Sequence, residues 1–346
     1  MRAIVCTKQG DPVAPNIEYI SDWPEASEPG PGEVRLRTLA SALNQMDLWV
    51  GRGVPGLTLE YPRISGCDAC CEVEAVGPGV DAAWVGRRVI VNAATRVAQP
   101  ARPGDPPAST LAPQYELIGE QQHGMLRERF CAPAAHLAEV GGVEPAEAAA
   151  FGLCALTAWS MMMTKGQLRP GQSVLITGIG GGVATSALAI AKHFGCPVAV
   201  TSRHQWKLDK ATELGADCAI LDHGGDWSRQ VRAWTNKRGV DMAVDSVGKA
   251  THLPCIKSLA RGGAYVCCGA TSGPDATTDL ARLFWNQLRL LGSTMGSNEE
   301  FGEVAALLRA GALRPVVDQV FDAADAGSAY ERLEAGEQFG KIVIRW

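Results

Sequence analysis

The sequence has no dense run of lysine or arginine, and its 32 basic and 37 acidic residues leave a formal net charge of -5. Proteins that bind nucleic acid or an anionic membrane through charge carry basic patches. The composition therefore gives no electrostatic reason to expect either partner.

The chain also lacks the sequence features of membrane insertion. Residues 148–163 are free of charge, but they number fewer than the roughly 20 apolar residues that cross a bilayer and they include Gly, Thr and Ser. We expect a buried helix there. The first eight residues (MRAIVCTK) show no apolar core or cleavage site of a signal peptide, which favours a cytoplasmic protein.

Cysteine is not scarce, but the eleven cysteines are an odd number scattered over 346 residues, which predicts reduced thiols. Cys67, Cys70 and Cys71 lie within five residues, a spacing compatible with zinc, a redox dithiol or core packing. If residues 67–76 form one strand, Cys67 and Cys70 point to opposite faces, as do Cys70 and Cys71. We therefore expect core packing, with metal or redox use as the alternative.

The periodicity of the sequence changes near residue 144. Before it, alternating runs such as residues 33–39 (EVRLRTL) predict strands joined by Pro/Gly turns, and the Pro-rich residues 98–113 predict an exposed loop. After it, short apolar runs alternate with helical segments, the pattern of a parallel sheet covered by helices on both faces. The expected strands are 174–177, 198–201, 219–221, 242–245 and 264–268, with helices at 184–194 and 205–214.

This pattern predicts an α/β protein of two domains. Residues 144–290 are expected to form a doubly wound, dinucleotide-binding domain. Residues 1–143 and 291–346 are expected to form a mainly-β domain that the terminal strand 341–345 completes.

A glycine-rich segment follows the first strand of the alternating region. Gly178, Gly180, Gly181 and Gly182 stand between that strand and a helix, with Val183 in the last position of the usual G-x-G-x-x-G spacing. Such glycines permit a tight turn and a close approach of the backbone to a pyrophosphate, which the N–H groups of the following helix then bind. We predict dinucleotide binding, with a purely structural glycine turn as the alternative.

The end of the second strand favours NADPH over NADH. An NAD site requires an acidic residue there to bind the ribose hydroxyls, but this chain has no acid before Asp209. Ser202 offers a hydroxyl, and Arg203 and Lys207 offer positive charge suited to a 2′-phosphate. The alternative is a solvated basic helix start.

Several segments, in order along nearly the whole chain, resemble the medium-chain dehydrogenase/reductase superfamily. They include residues 42–50 (ALNQMDLWV), 73–80 (VEAVGPGV), 177–183 (TGIGGGV), 245–248 (DSVG) and 339–343 (FGKIV). The resemblance implies a GroES-like catalytic domain, completed by the C-terminal segment, around a Rossmann domain, with the active site between them. It also implies a homodimer paired through an edge strand of the Rossmann sheet.

Zinc-dependent members of this superfamily carry metal ligands at three positions that here are Asn44, Cys67 and Leu153. Their structural-zinc lobe corresponds to residues 93–119, which contain no cysteine. A catalytic zinc needs three side-chain ligands, and only Cys67 among these residues retains one. The chain therefore resembles the zinc-free quinone reductase-like branch, and we expect no metal.

The resemblance also assigns roles to individual residues. The catalytic candidates are Asn44, Asp47 and Asp68. Asn44 should line the nicotinamide site, whereas Asp47 and Asp68 are expected to hold that site together, with proton transfer as the alternative. His123 is a candidate proton donor, although a hydrogen-bonded loop histidine is the preferred interpretation. The cofactor side should include Thr157, Gly269, Ala270, Ser293 and Lys341.

Without a Lewis acid, an alkoxide loses its main source of stabilisation, whereas a quinone or conjugated alkene delocalises the negative charge that a hydride brings. We therefore predict hydride transfer from NADPH to a quinone, enone, enal or enoyl thioester. One alternative is a zinc-dependent alcohol dehydrogenase that uses Cys67, Asp68 and Cys154. The other is a non-catalytic protein that binds NADPH.

Overall fold

The computed structural model describes residues 1–96, 109–112 and 115–346. The loop expected at 98–113 therefore lies largely outside the described residues. The chain forms two compact units, one made of Met1–Leu153 with Gly296–Trp346 and the other of Cys154–Met295.

The first unit opens with strands and short turns. Its elements before residue 153 are β1 (Ala3–Cys6), β2 (Ile17–Ile20), β3 (Glu33–Ala42), α1 (Gln45–Arg52), β4 (Ala69–Val76), β5 (Arg88–Val91), β6 (Ala94–Arg96), β7 (Tyr115–Leu117), β8 (Arg129–Pro133), β9 (Leu137–Glu139) and the first half of α2 (Pro145–Trp159). The alternation expected at residues 33–39 is present in β3, where Val34, Leu36 and Thr38 are buried and the residues between them are partly exposed.

The second unit is built from alternating strands and helices after α2. They are β10 (Val174–Ile176), α3 (Gly182–His193), β11 (Val198–Ser202), α4 (Gln205–Glu213), β12 (Cys218–Leu221), α5 (Ser228–Trp234), β13 (Val240–Asp245), α6 (Lys249–Ser258), β14 (Leu259–Cys267), α7 (Leu280–Trp285) and β15 (Arg289–Gly292). All neighbouring strands are parallel, in the order β12-β11-β10-β13-β14-β15.

This strand order is that of a doubly wound Rossmann sheet, and it confirms the predicted fold class. Strands β11 and β12 lie on one side of β10, whereas β13, β14 and β15 lie on its other side. The direction of the strand order therefore reverses between β10 and β13. In such sheets ligands bind at the carboxyl ends of the strands beside this switch point.

The chain returns to the first unit through α8 (Asn298–Arg309), β16 (Val317–Asp322), α9 (Ala326–Ala335) and β17 (Lys341–Arg345). As expected, β17 completes the β sheet, whose order is β16-β17-β3-β4-β5-β9, with β8 also paired to β3. A core that includes Ile4, Leu48, Tyr330 and Ile342 joins the first strand of the chain to its last helix and strand.

The compact units divide after Leu153 and after Met295, whereas the sequence placed these divisions after residues 143 and 290. The composition changes where α2 begins, but the first half of α2 is tied to the first unit. Glu147 forms an ion pair with Arg314, and the Leu153 N–H donates to Asp68 Oδ1 at 2.6 Å. The start of α2 and the boundary between the two units are therefore about ten residues apart in the sequence.

The uncharged segment lies in α2 and in a π-helical continuation, Ser160–Lys165. Together they are long and apolar enough to span a membrane, but 72% of their most apolar stretch is buried within the structure. This agrees with the expected buried helix of a folded domain.

Candidate functional site

The glycine-rich turn lies at the carboxyl end of β10, beside the switch point of the sheet. Gly178 and Gly180 adopt positive φ values of 61° and 115°, which residues with a Cβ rarely adopt. Gly181 is the N-cap of α3, and Gly182 and Val183 begin the helix. The first N–H groups of a helix have no partner within it and bind anions readily. All five predicted residues therefore lie in one turn and at the start of the helix that follows it.

The basic residues after β11 lie near this turn. Lys207 is 92% buried, and a Cβ added to Gly180 would come within 2.7 Å of Lys207 Cδ and 3.4 Å of its Nζ. Ser202 is buried at the end of β11, where its Oγ accepts the His204 N–H at 3.2 Å, and Arg203 is exposed. Lys207 therefore lies directly against the glycine turn.

Sequence reasoning missed Trp206, which lies in the same segment. Its indole is 40% exposed, and the ammonium groups of Lys207 and Lys210 lie 5.1 and 5.3 Å from its ring centroids. The sequence pattern that could have identified it is a tryptophan among three basic residues, just after the second Rossmann strand. Both lysines make cation–π contacts with it.

Of the remaining cofactor-side candidates of the second unit, Thr157 and Ser293 are buried, and Gly269 and Ala270 are partly buried. Ser293 donates its N–H to the Cys267 carbonyl at 2.9 Å, and its buried Oγ has no hydrogen-bond partner among the described residues. Gly269 lies so close to the Ser246 carbonyl that an added Cβ would be 3.0 Å away, and Ala270 follows it. Thr157 directs its hydroxyl to Met295 Sδ at 3.8 Å.

These residues fit a nicotinamide dinucleotide. A Cβ at Gly181 would have only the Gly178 carbonyl oxygen within 4 Å, at 3.9 Å, so the backbone is open at this point, and the Ser293 hydroxyl is a buried polar group that a bound ligand would satisfy. Gly182 and Val183, the first residues of α3, would offer backbone N–H groups to the phosphates.

In the first unit, Asn44, Asp68 and Lys341 form one buried polar network. The Lys341 ammonium donates to Asn44 Oδ1 at 2.5 Å and to Asp68 Oδ2 at 2.8 Å. Asn44 Nδ2 donates in turn to Asp68 Oδ2 at 3.0 Å and lies 3.4 Å from Cys67 Sγ. The sequence placed Lys341 on the cofactor side, and the structure shows its ammonium bound to the two site residues of its own unit.

Asp47 connects the two segments that carry this network. Its carboxylate accepts the Asn44 N–H at the start of α1 and the Gly66 N–H just before Cys67, both at 2.7 Å. Burial raises the pKa of Asp47 to about 6, although the hydrogen bond from the Asn44 backbone and the charge of Lys341 lower it in part. Asp47 therefore ties the backbones of Asn44 and Gly66 together, which fits the role of holding the site together that the resemblance implies.

The cysteine segment differs from its expected conformation. The strand begins at Ala69, not at Cys67, because Gly66 has a φ of 98° and is held by Asp47. The alternation argument therefore does not apply to Cys67 and Cys70, and that premise was wrong. Cys67, Cys70 and Cys71 are all fully buried, and burial raises the pKa of Cys70 to about 12.

The donor set at the zinc-ligand positions does not fit a catalytic zinc. Asn44 uses both amide atoms within the network, Leu153 offers a side chain without a ligand atom, and the Lys341 ammonium would repel a dication. Within residues 1–96, 109–112 and 115–346, no group of three or more His, Cys, Asp or Glu side chains is placed to hold a metal ion.

His123 is an exposed loop residue whose ring is held by the backbone. Its Nδ1 accepts the Ile64 N–H at 3.2 Å, and its ring stands edge-on to Trp23 at 5.4 Å. Partial burial and the charges of Arg127 and Arg63 lower its pKa. This arrangement matches the preferred interpretation of a hydrogen-bonded loop histidine.

Comparison with known families matches both units. The family described as alcohol dehydrogenase GroES-like domain matches residues 30–142, and the family described as zinc-binding dehydrogenase matches residues 182–310.

Individual proteins extend these matches to nearly the whole chain. A zinc-type alcohol dehydrogenase-like protein YogA from Leptosphaeria maculans is 31% identical, with 91% of each chain covered. A 2-haloacrylate reductase from a Burkholderia species is 27% identical, with 99% of this chain and 98% of the relative covered. A crystal structure described as an NAD-dependent alcohol dehydrogenase is 38% identical and superimposes over all of both chains with a TM-score of 0.91.

The Rossmann sheet with its glycine turn, the GroES-like unit closed by β17 and these matches agree with one another. Binding of a nicotinamide cofactor is expected for this family. The chain belongs to the medium-chain dehydrogenase/reductase superfamily and is an oxidoreductase of that type.

Proposed function

We propose that the protein is an NADPH-dependent reductase that transfers hydride to a quinone or an activated alkene without using zinc. The observation that carries the proposal is the pair of hydrogen bonds made by the side-chain amide of Asn44. Its amide is bound on one side to Lys341 and on the other to Asp68, at a position where zinc-dependent members carry a metal ligand.

The chemistry follows from this donor set. A bound nicotinamide would supply a hydride, and the acceptor must tolerate the negative charge that the hydride brings. In a conjugated acceptor the hydride adds to the β-carbon and the alkene electrons move towards the carbonyl oxygen, so that the charge is delocalised. A proton from water then adds at the α-carbon and leaves hydroxide, and the acceptor has gained one hydride and one proton. An alcohol–ketone reaction lacks this delocalisation and depends more strongly on a Lewis acid.

Preference for NADPH is supported by the segment after β11. Ser202, Arg203 and Lys207 provide a hydroxyl and two positive charges where an NAD site would have a carboxylate. Trp206 and Lys210 add an exposed aromatic ring and a third charge.

The names of similar proteins include an alcohol dehydrogenase and a reductase of 2-haloacrylate, an activated alkene. The alternative function is therefore a metal-dependent alcohol dehydrogenase with Cys67, Asp68 and Cys154 as unusual ligands. A non-catalytic NADPH-binding protein is the other alternative.

A panel assay separates these functions. Protein purified without added metal should oxidise NADPH with enones, enals or quinones, should prefer NADPH to NADH, and should contain zinc well below stoichiometry by elemental analysis. Stoichiometric zinc with alcohol oxidation that chelators abolish would contradict the proposal. Tight NADPH binding without turnover on any acceptor would favour the non-catalytic alternative.

We further propose that the protein pairs with a second copy through β15. This strand is at the edge of the Rossmann sheet, so its outer N–H and C=O groups can pair with the same strand of another molecule. Beside it, α7 exposes Leu280, Phe284 and Trp285, the last of them 69% exposed. An edge strand with an adjacent exposed apolar helix favours a symmetric homodimer.

A further inference from the structure

Asp245 is a completely buried carboxylate that none of the preceding chemistry uses. It is the last residue of β13, at the carboxyl end of the strand that pairs with β10. It therefore lies at the switch point of the sheet, directly beside the glycine turn.

The carboxylate of Asp245 accepts hydrogen bonds from three side chains. They are the hydroxyls of Thr177 at 2.6 Å, Thr251 at 2.9 Å and Tyr265 at 2.7 Å. It also accepts the Val247 N–H at 2.8 Å. A buried carboxylate is retained only where such donors satisfy its oxygens.

These donors come from structurally different places. Thr177 immediately precedes Gly178 in the cofactor turn, and Val247 belongs to the turn 246–248 that follows β13. Tyr265, by contrast, lies within β14 and belongs to neither turn.

The turn 246–248 is packed between the two backbone segments assigned to the cofactor. A Cβ on Gly178 would lie 2.8 Å from Val247 Cγ2, and a Cβ on Gly269 would lie 3.0 Å from the Ser246 carbonyl oxygen. A Cβ on Gly248 would come within 2.8 Å of Ala270 Cα. The position of this turn therefore sets the spacing between Gly178 and the 269–270 segment.

We propose that Asp245 is a positioning residue for dinucleotide binding. Its hydrogen bonds fix Thr177 and the turn 246–248, and these in turn fix the two backbone segments that would hold the cofactor. Asp245 contacts no ligand itself. The inference rests on nicotinamide cofactor binding but not on the identity of the acceptor.

The Thr177 and Tyr265 hydroxyls provide a matched comparison. Each is buried and donates one hydrogen bond to the same carboxylate, and each can be removed with little change of shape, by Thr177→Val and Tyr265→Phe. Only the first bond connects the carboxylate to the glycine turn. A purely structural role for Asp245 predicts similar effects of the two changes, whereas a positioning role predicts different ones.

The test measures NADPH affinity by the change in NADPH fluorescence, together with the melting temperature, on the full-length chain. Both variants should melt at a lower temperature than wild type. Thr177→Val should weaken NADPH binding roughly tenfold, as expected for loss of one charge-assisted hydrogen bond, while Tyr265→Phe should change it less than about twofold. Thr177→Ser, which restores the hydroxyl, should recover the wild-type affinity.

Equal affinity losses in Thr177→Val and Tyr265→Phe, or no recovery in Thr177→Ser, would overturn the proposal. If Thr177→Val does not fold, Val247→Ala replaces it, because this change removes the side-chain atoms that fill the space beside Gly178 and keeps the backbone hydrogen bond to Asp245. It should also weaken NADPH binding, and unchanged affinity would count against a positioning role. Wild-type protein that binds NADPH but reduces no acceptor would contradict the proposed function while leaving this comparison valid.

Discussion

Lys341 and Asp68 form an ion pair of 2.8 Å in which both side chains are at least 96% buried. They are separated by 273 residues, and Asn44 bridges them through both atoms of its amide. The network therefore connects the last strand of the chain to the segment before β4, and it fixes the orientation of the Asn44 side chain.

Removing one charge of this pair should be costly. Lys341→Met leaves Asp68 buried without its cation, and loss of one partner of a buried pair reduces the free energy of unfolding by about 3–5 kcal/mol. Lys192→Met breaks the partly exposed pair with Asp217 and should cost less than about 1 kcal/mol. Urea unfolding measures the change in unfolding free energy for both variants. Equal losses would show that the buried network contributes no more to stability than the partly exposed pair.

Asp47 should make stability depend on pH. Burial raises the pKa of Asp47 from 3.8 to about 6. Between pH 3.8 and about pH 6, the folded protein therefore keeps a proton on Asp47 that the unfolded chain has lost. The stability that this proton contributes is complete below about pH 4 and is lost as pH rises through about 6. At 1.36 kcal/mol per unit, the loss is about 3 kcal/mol.

The measurement compares unfolding free energies at pH 4 and pH 6.5 in wild type and Asp47→Asn. The amide does not titrate, so wild type should lose about 2–3 kcal/mol relative to this variant as the pH rises. Asp81→Asn, in which an exposed carboxylate accepts the Ala83 N–H, serves as the control and should follow wild type. A pH dependence that is identical in all three proteins would contradict the assignment to Asp47.

Lys207 should contribute to the choice of cofactor. Lys207→Met keeps the aliphatic contact with the glycine turn but removes the charge, so the Kd for NADPH should rise about tenfold or more while that for NADH changes less than about threefold. Lys8→Met removes an exposed positive charge of the first unit, at a residue with no proposed role in cofactor binding, and controls for the general loss of positive charge. Equal weakening of both cofactors by Lys207→Met would place Lys207 at the pyrophosphate and not at the 2′-phosphate.

The β15 edge should control the oligomeric state. Trp285→Glu places a charge on the exposed face of α7 and should shift the protein from dimer to monomer in sedimentation velocity experiments. Trp49→Glu changes a 37% exposed tryptophan of the first unit and should leave the dimer intact. A monomeric wild type, or a dimer that is unaffected by Trp285→Glu, would refute pairing through this edge.

Much of the fold could be predicted because its signals are local. The helix expected at 205–214 is observed as Gln205–Glu213, and the strand expected at 242–245 is observed as Val240–Asp245. The glycine turn was also predictable, since a strand, closely spaced glycines and a helix are contiguous in sequence. The conformation of Cys67 was not, because it depends on a hydrogen bond from Gly66 to Asp47, 19 residues away.

By itself the sequence determined the α/β class, the position of the glycine turn and the lack of zinc-ligand side chains at Asn44 and Leu153, because each is a property of residue type or local pattern. Only the tertiary structure decided that Lys341 reaches Asn44 across 297 residues and that Asp245 joins Thr177, Thr251 and Tyr265. When distant segments are buried together, each buried polar group must pair with a donor or acceptor beside it. No local sequence pattern encodes which residue that partner is.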